Sequence, residues 1–450
     1  MNTKKIFKTV GYLLVALIFA TTLSGCTKKT TTSGAIVVWG FEEEDAWKPV
    51  IKNFEKSNKG YTVTYVKQEL DSGYENRALN SISSGAGPDV WAMPNDWVYR
   101  HKEKLASMPE ATAKKLDLDK QYVPSVKESV YINDKIYALT PSVEPLMVYY
   151  NPTIFSSALK AYNEANKDDK ETTKRASSLL FDVPGTWTDF VEASNIISAN
   201  GVAGVALGTS KIPNSQDILY LLMKQNETSI LSDNKELATF NLPKDTSTGA
   251  NDNPGTRALE FYTSFADPSS ENYCWDDSIG DPIDAFANGK VAMIFGYSSL
   301  QNTLLQKYPS LKYKKGFAPQ LSEDAGKITD YARFTAYGVS RLSKNSAASW
   351  NLVSTLAGES IQDDFSSANR LYTSKKASSY DISLKSRTGT NPEKLSLATA
   401  HSLIKGRYPV EFDSLMNTAI DSVNSGTQEP QSALDLASDK ITQLLRKETW

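Results

Sequence analysis

From Ala35 onward the chain switches repeatedly between two hydrophobic periods. "AIVVWG" (Ala35–Gly40) is a short apolar run closing on an aromatic and a glycine, and in "AWKPVIKNFEKSN" the residues Trp47, Val50, Ile51 and Phe54 recur at helical spacing. "YTVTYV" (Tyr61–Val66) alternates as a strand does, "YENRALNSISSGAG" reads as a helix stopped by glycine, and "DVWAM" is a buried strand ended by Pro94. Such alternation predicts an α/β fold with a mostly parallel sheet and right-handed crossovers. Further on, "YINDKIYALT" predicts a hairpin and "PLMVYYN" (Pro145–Asn151) a second buried strand. Residues 156–180 are long and charged, the pattern of a solvated helix or a mobile insertion. "TWTDFVEASNIISANG" places Phe190, Ala193, Ile196 and Ile197 on one helix face, with Gly201 as its stop and "GVALG" as the next strand. Residues 242–257 are loop by composition, and "IDAFANGKVAMIFGY" is a helix, a glycine turn and a strand ending at Tyr297. Three amphipathic blocks after Ser346 make the remainder mostly helical, without a repeat of 20 to 50 residues.

The first residues stand apart from this pattern. Lys4, Lys5 and Lys8 precede an apolar stretch, Val10–Ala20, too short to span a bilayer comfortably, and "LSGC" (Leu23–Cys26) follows. The arrangement resembles a bacterial lipoprotein signal, with residues 1–25 removed, Cys26 lipidated and 26–34 a polar tether to the membrane surface. The protein is thus expected on the extracytoplasmic side of a cell membrane. Removing three lysines from 49 basic side chains, against 52 acidic ones, leaves a net charge of about −6, which argues against a nucleic-acid partner. With 40% hydrophobic and 22% charged residues, 450 residues suffice for two or three domains. Cys274 is the only other cysteine and His101 and His401 the only histidines. A His/Cys zinc centre or Cys/His catalysis therefore has little to be built from; an oxygen-only calcium site is left open, and no cofactor is expected.

"GPDVWAMPNDW" (Gly87–Trp97) raises the question of chemistry. Asp96 and Trp97 fall just past the carboxyl end of a strand, where ligands bind in open α/β sheets. The alternative is that Trp91 is core and Asp96 caps the following helix. Pro88 and Asp89 are expected to be structural, shaping the turn into the strand.

In their order along the chain, "FEKSNKGYTVTYV", "SGAGPDVWA", "IYALTPSVEPLMVYYNPTIF", "PGTWTDF", "AFANGKVAMIFGY", "GFAPQ", "YGVS" and "GTQEPQSAL" resemble the extracellular solute-binding proteins of sugar ABC importers, the group that includes maltose-binding protein. The resemblance spans about Ala35 to Leu434. It implies a periplasmic-binding-protein-like fold: two Rossmann-like lobes, joined by crossing strands, with a ligand cleft between them. Lobe one is placed at 34–141 plus 336–372 and lobe two at 142–335 plus 373–450. The sequence departs from the group at 156–180, at 242–257, and at Tyr297 and Ser298, where many relatives carry a tryptophan.

A sugar presents an apolar C–H face and a rim of hydroxyls, so its site needs aromatic surfaces beside carboxylates or amides. On that logic the resemblance nominates Asp96 and Trp97, Glu144 at the lobe crossing, Trp39 and Glu43 after the first strand, Trp275 and Asp276, Tyr297, and Arg333 near the third crossing. Each has a plainer alternative: core packing for Trp39, a surface acid for Glu144, an interlobe salt bridge for Arg333. The implied function is a non-catalytic, monomeric sugar carrier serving ABC permease subunits. Two others compete with it, a surface sensor of the same fold and a secreted glycoside hydrolase using an acid pair such as Asp276 and Asp277.

Overall fold

Gly34–Gly40 is the strand on which the first lobe is built. It pairs in parallel with Tyr61–Lys67 over its whole length and with Val90–Pro94 on the other side, which puts Trp39 opposite Trp91. The intervening helix, Glu44–Ser57, buries Trp47, Val50 and Phe54 of the expected face together with Ala46, while Ile51 is half-buried. Full burial of side chains the size of Val50 and Phe54 stabilises the fold by about 1.5–3 kcal/mol each. Asp89 ties the turn before the third strand to the sheet: its carboxylate accepts the Val37 N–H at 2.9 Å and the Ser343 hydroxyl.

The computed structural model describes residues 33–244, 253–321, 324, 327–369, 371–375 and 392–447. Cys26, the tether up to Thr32 and residues 245–252 of the expected loop lie outside the described residues.

The sheet of lobe one continues with Thr335–Ser340, which runs antiparallel to Val90–Pro94, so the lobe is not purely parallel. The reason is connectivity. This strand enters from lobe two instead of following a crossover helix within lobe one. The hairpin predicted in "YINDKIYALT" forms between Tyr131–Ile132 and Lys135–Ile136, with Asn133 and Asp134 at φ 49° and 62° in its turn.

Lobe two has a smaller sheet in the order Ala203–Val205, Val291–Gly296, Met147–Tyr150 and Lys314–Gly316, with antiparallel pairing on both sides of Met147–Tyr150. The charged stretch at 156–180 is ordered. It forms two helices, Pro152–Ala165 and Lys170–Leu179, started by the side chains of Asn151 and Asp169. They dock through Phe155, Ala158, Ala176 and Leu179, four apolar contacts hidden among charges in the sequence.

A third sheet joins the lobes: Tyr372–Thr373, Ser142–Pro145, Asp330–Arg333 and Ala400–His401, side by side. Two separate apolar cores flank it, and the handovers fall between Val143 and Leu146 and between Tyr331 and Ala332. The last handover comes later than the expected 372, since Leu397 and Ala400 pack into the first core and Leu403 into the second. Short apolar segments such as these carry no periodicity that says which core they join.

Candidate functional site

Asp96 owes its position to its neighbour. Asn95 is buried, donates to Ser129 Oγ at 3.1 Å, and exchanges hydrogen bonds with the Phe334 backbone on the crossing segment. This pins the loop at the strand end and turns Asp96 towards lobe two. Asp96 makes no side-chain cap to the helix Trp97–His101; its carboxylate instead lies 3.3 Å from Lys405 Nζ. Trp91 is core, as the plainer alternative held. Trp97 is half-buried and stacks on Tyr74 at 6.5 Å between ring centroids.

Lys405 is the centre of the interlobe chemistry. Its side chain is only 5% exposed, and Nζ is 2.7 Å from Asp413 Oδ2, 3.3 Å from Asp96 Oδ2 and 3.9 Å from Asp217 Oδ1. Burial opposes its charge, but the three carboxylates outweigh burial and hold the amine well above the usual lysine value. Asp413 also accepts the Tyr220 hydroxyl at 2.7 Å. Burial pushes its carboxyl up to about 6, with Lys405 pulling the other way.

The network continues across lobe two. Asp217 accepts the Tyr297 hydroxyl at 2.6 Å, and the Arg333 guanidinium lies over the Tyr297 ring at 3.8 Å. Arg333 donates to Asn214 Oδ1 at 3.3 Å and Ser299 Oγ at 3.4 Å, and its Nε is 4.0 Å from Glu144 Oε1. Glu144 and Arg333 are register partners in the hinge sheet, and Glu144 accepts the Ser299 N–H at 2.8 Å. Asn214, Tyr297, Ser299 and Arg333 line a cavity of about 230 Å³ together with apolar Phe295 and Leu300. The Arg333 side chain is 43% exposed.

The structure therefore brings Asp96, Glu144, Tyr297 and Arg333 into one connected network, while Trp97, next to Asp96 in the chain, packs its ring on Tyr74. Tyr297 presents little open surface: it is buried, and burial pushes its hydroxyl far above the ordinary tyrosine value. Trp39 is half-buried against Tyr74. Glu43 points to solvent and pairs with Lys67 at 2.7 Å. Its neighbour Glu42 turns inward instead, accepting the Tyr337 hydroxyl, and burial raises its carboxyl. Trp275 is buried in lobe two's core with its indole N–H donated to Asp277 at 3.1 Å, and Asp276 caps a short turn through the Ser278 N–H. Asp277 further accepts the Thr209 hydroxyl, so this acid pair is engaged in local structure. Neither Trp275 nor Asp276 joins the network.

Sequence reasoning missed Lys405, Asp217, Asp413 and Asn214. Lys405, between Ile404 and Gly406, has the local pattern of any surface lysine. Asp217 sits in the first turn of its helix, where acids are ordinary, and Asp413 one turn into helix Pro409–Asn424. Among the described residues no group of His, Cys, Asp or Glu is arranged to hold a metal ion, and no helix is long and apolar enough to cross a membrane.

Two lobes around a hinge sheet, with polar and aromatic groups converging between them, define a solute-binding architecture. The chain belongs to the bacterial extracellular solute-binding protein family, whose model matches residues 50–389. Its fold is that of maltose-binding-type proteins. The GacH receptor of Streptomyces glaucescens, solved unliganded and with acarbose, superposes at a TM-score of 0.66 with 18% identity, over 93% of this chain and all of the other. The substrate-binding protein Lmo0181 of Listeria monocytogenes, in complex with cycloalternan, gives the same values. The cyclic α-maltosyl-1,6-maltose binding protein of Arthrobacter globiformis reaches 0.70 at 17% identity, over 92% of this chain and 100% of its own. No curated protein matches the chain by sequence at a significant level.

Proposed function

We propose that this protein is an extracytoplasmic lipoprotein, anchored through Cys26, that captures a sugar or oligosaccharide between its lobes and delivers it to the permease of an ABC importer. The observation that carries the reading is the cavity at Arg333. Asn214, Ser299 and Arg333 bring amide, hydroxyl and guanidinium groups to its lining, Glu144 lies 4.0 Å from Arg333, and Phe295 and Leu300 add apolar surface. That combination suits a ring with hydroxyls at its edge and C–H groups on its face. At about 230 Å³ the cavity is below the usual 300–1,000 Å³ of small-molecule sites, so it houses one sugar ring, and a longer ligand extends beyond it.

Family membership and the sugar complexes among the structural neighbours support a carbohydrate over other solutes. Binding needs no cofactor and no covalent step. The ligand must only bind the closed arrangement of the lobes better than an open one, and the protein works as a monomer docking on its permease. The test is a thermal-shift screen over mono- and oligosaccharides, in which a saturable rise in melting temperature marks the ligand class. A rise with amino acids, peptides or polyamines and none with any sugar would reject the reading.

A further inference from the structure

Tyr297, Ser298 and Ser299 follow the strand Val291–Gly296, and each is held separately. The Tyr297 carbonyl accepts the Tyr149 hydroxyl at 2.8 Å, while its ring packs on the Arg333 guanidinium. Ser299 donates its N–H to Glu144 and accepts a hydrogen bond from Arg333 on its hydroxyl. Ser298, between them, does not line the cavity. It is fully buried, and its hydroxyl donates to Glu393 Oε1 at 3.0 Å.

Glu393 lies in the short helix Pro392–Ser396 and is only 2% exposed. Besides Ser298, its carboxylate accepts the Lys315 ammonium at 2.6 Å and the Tyr372 hydroxyl at 2.6 Å. Lys315 is the register partner of Tyr149 in the sheet of lobe two, and Tyr372 pairs with Val143 in the hinge sheet, one residue before Glu144. One carboxylate therefore joins the turn 297–299 to the two sheets that carry Tyr149 and Glu144. A carboxylate this buried is costly without donors, and three of them offset that cost here. Bonds to an ionised acceptor are also roughly twice as strong as neutral ones, which makes the Ser298 link a firm one.

We infer that Glu393 is a positioning residue of the solute site: through the Ser298 hydroxyl it fixes the turn 297–299, and with it the Tyr297 ring and the Ser299 groups that set the direction of the Arg333 guanidinium. Glu393 does not itself line the cavity. Its plainer role is to neutralise Lys315 in the interior. The two roles part at Ser298, since a neutraliser of Lys315 has no need of that hydroxyl, whereas a positioning residue acts through it.

The inference rests on the reading that the Arg333 cavity takes the solute, but its test needs no solute, so its failure would leave that reading standing. The guanidinium lies 3.8 Å from the Tyr297 ring centre, and the ring current makes the Arg333 Nε–H resonance sensitive to where that ring sits. The signal is recorded in ¹⁵N-labelled full chain and assigned by its loss in Arg333→Lys. Ser298→Ala keeps the Lys315 and Tyr372 contacts of Glu393 and removes only the link, and it should displace the resonance. Tyr372→Phe removes another bond to the same carboxylate, keeps the link, and should leave the resonance in place. Glu393→Gln should displace it, and Glu393→Gln combined with Ser298→Ala should displace it no further than Ser298→Ala alone. A resonance unmoved by Ser298→Ala overturns the inference, and so do equal displacements by Ser298→Ala and Tyr372→Phe or fully additive ones in the combined variant. Should Glu393→Gln fail to fold, the comparison of Ser298→Ala with Tyr372→Phe decides alone.

Discussion

Glu144→Gln separates a solute-binding carboxylate from a structural one. The substitution keeps the shape and an acceptor oxygen for the Ser299 N–H, now bonded at 2.8 Å, and removes only the charge. In the ligand-free protein little is lost, because Arg333 Nε is 4.0 Å away and its side chain is 43% exposed, a pair that contributes about 0–1 kcal/mol. With sugar bound the expectation differs. A hydroxyl donating to a carboxylate contributes about 1.5–3 kcal/mol and one donating to a neutral amide about 0.5–1.5 kcal/mol. The difference, about 1–1.5 kcal/mol, corresponds to roughly a five- to tenfold weaker Kd for each hydroxyl held. Isothermal calorimetry with the best sugar, beside melting curves of the ligand-free proteins, measures both quantities. Affinity within twofold of the unsubstituted protein, together with a melting temperature lowered by several degrees, would refute the reasoning and make Glu144 a hinge residue only.

Asp413 has a folded-state pKa of about 6, above the usual aspartate value of 3.8, so its contribution to stability is fully present below about 4 and is lost as pH rises through about 6. Asp413→Asn should therefore lose less stability than the parent between pH 4.5 and 7, by about 1 kcal/mol once the 28% of the side chain still exposed is discounted; urea melts at the two pH values check this, and equal slopes contradict it. Glu75, held near 2 by His101 and Arg100, stays ionised throughout that window. Trp97 is half-buried beside the cleft while Trp47, Trp91, Trp275 and Trp350 are sealed, so Trp97→Phe should remove more than half of any sugar-induced fluorescence change, and a titration with the signal intact would place the ligand elsewhere. Cys26→Ala should move the protein from the membrane fraction to the soluble one without altering sugar affinity, as fractionation and calorimetry together would register.

Much of the architecture was legible because it is written in local periods. Trp47, Val50 and Phe54 at helical spacing and the apolar run Val90–Met93 each specify one element, and both form as expected. The motif order placed Asp96, Glu144, Tyr297 and Arg333 near one another, since each lies at a strand end or on a crossing strand. What escaped the sequence is what depends on contacts between distant segments. Lys405 acquires its role from Asp96, more than 300 residues earlier, and no periodicity encodes such a meeting. Glu43 and Glu42 show the same limit at short range. One residue decides which faces Tyr337, and the helix beginning at Glu44 sets that choice after the strand has ended. Trp275 followed by two acids resembled a binding pair, yet its indole closes a turn through Asp277 inside the core of lobe two.

The most direct measurement of the central claim is calorimetric titration of the full chain with a panel of linear and cyclic oligosaccharides and their monosaccharides, repeated on Arg333→Ala. The account predicts saturable one-to-one binding of at least one carbohydrate, weakened at least tenfold by Arg333→Ala, because the cavity loses the guanidinium that donates to its rim and packs on Tyr297. Binding of no carbohydrate in the panel, or binding that Arg333→Ala leaves untouched, would contradict it.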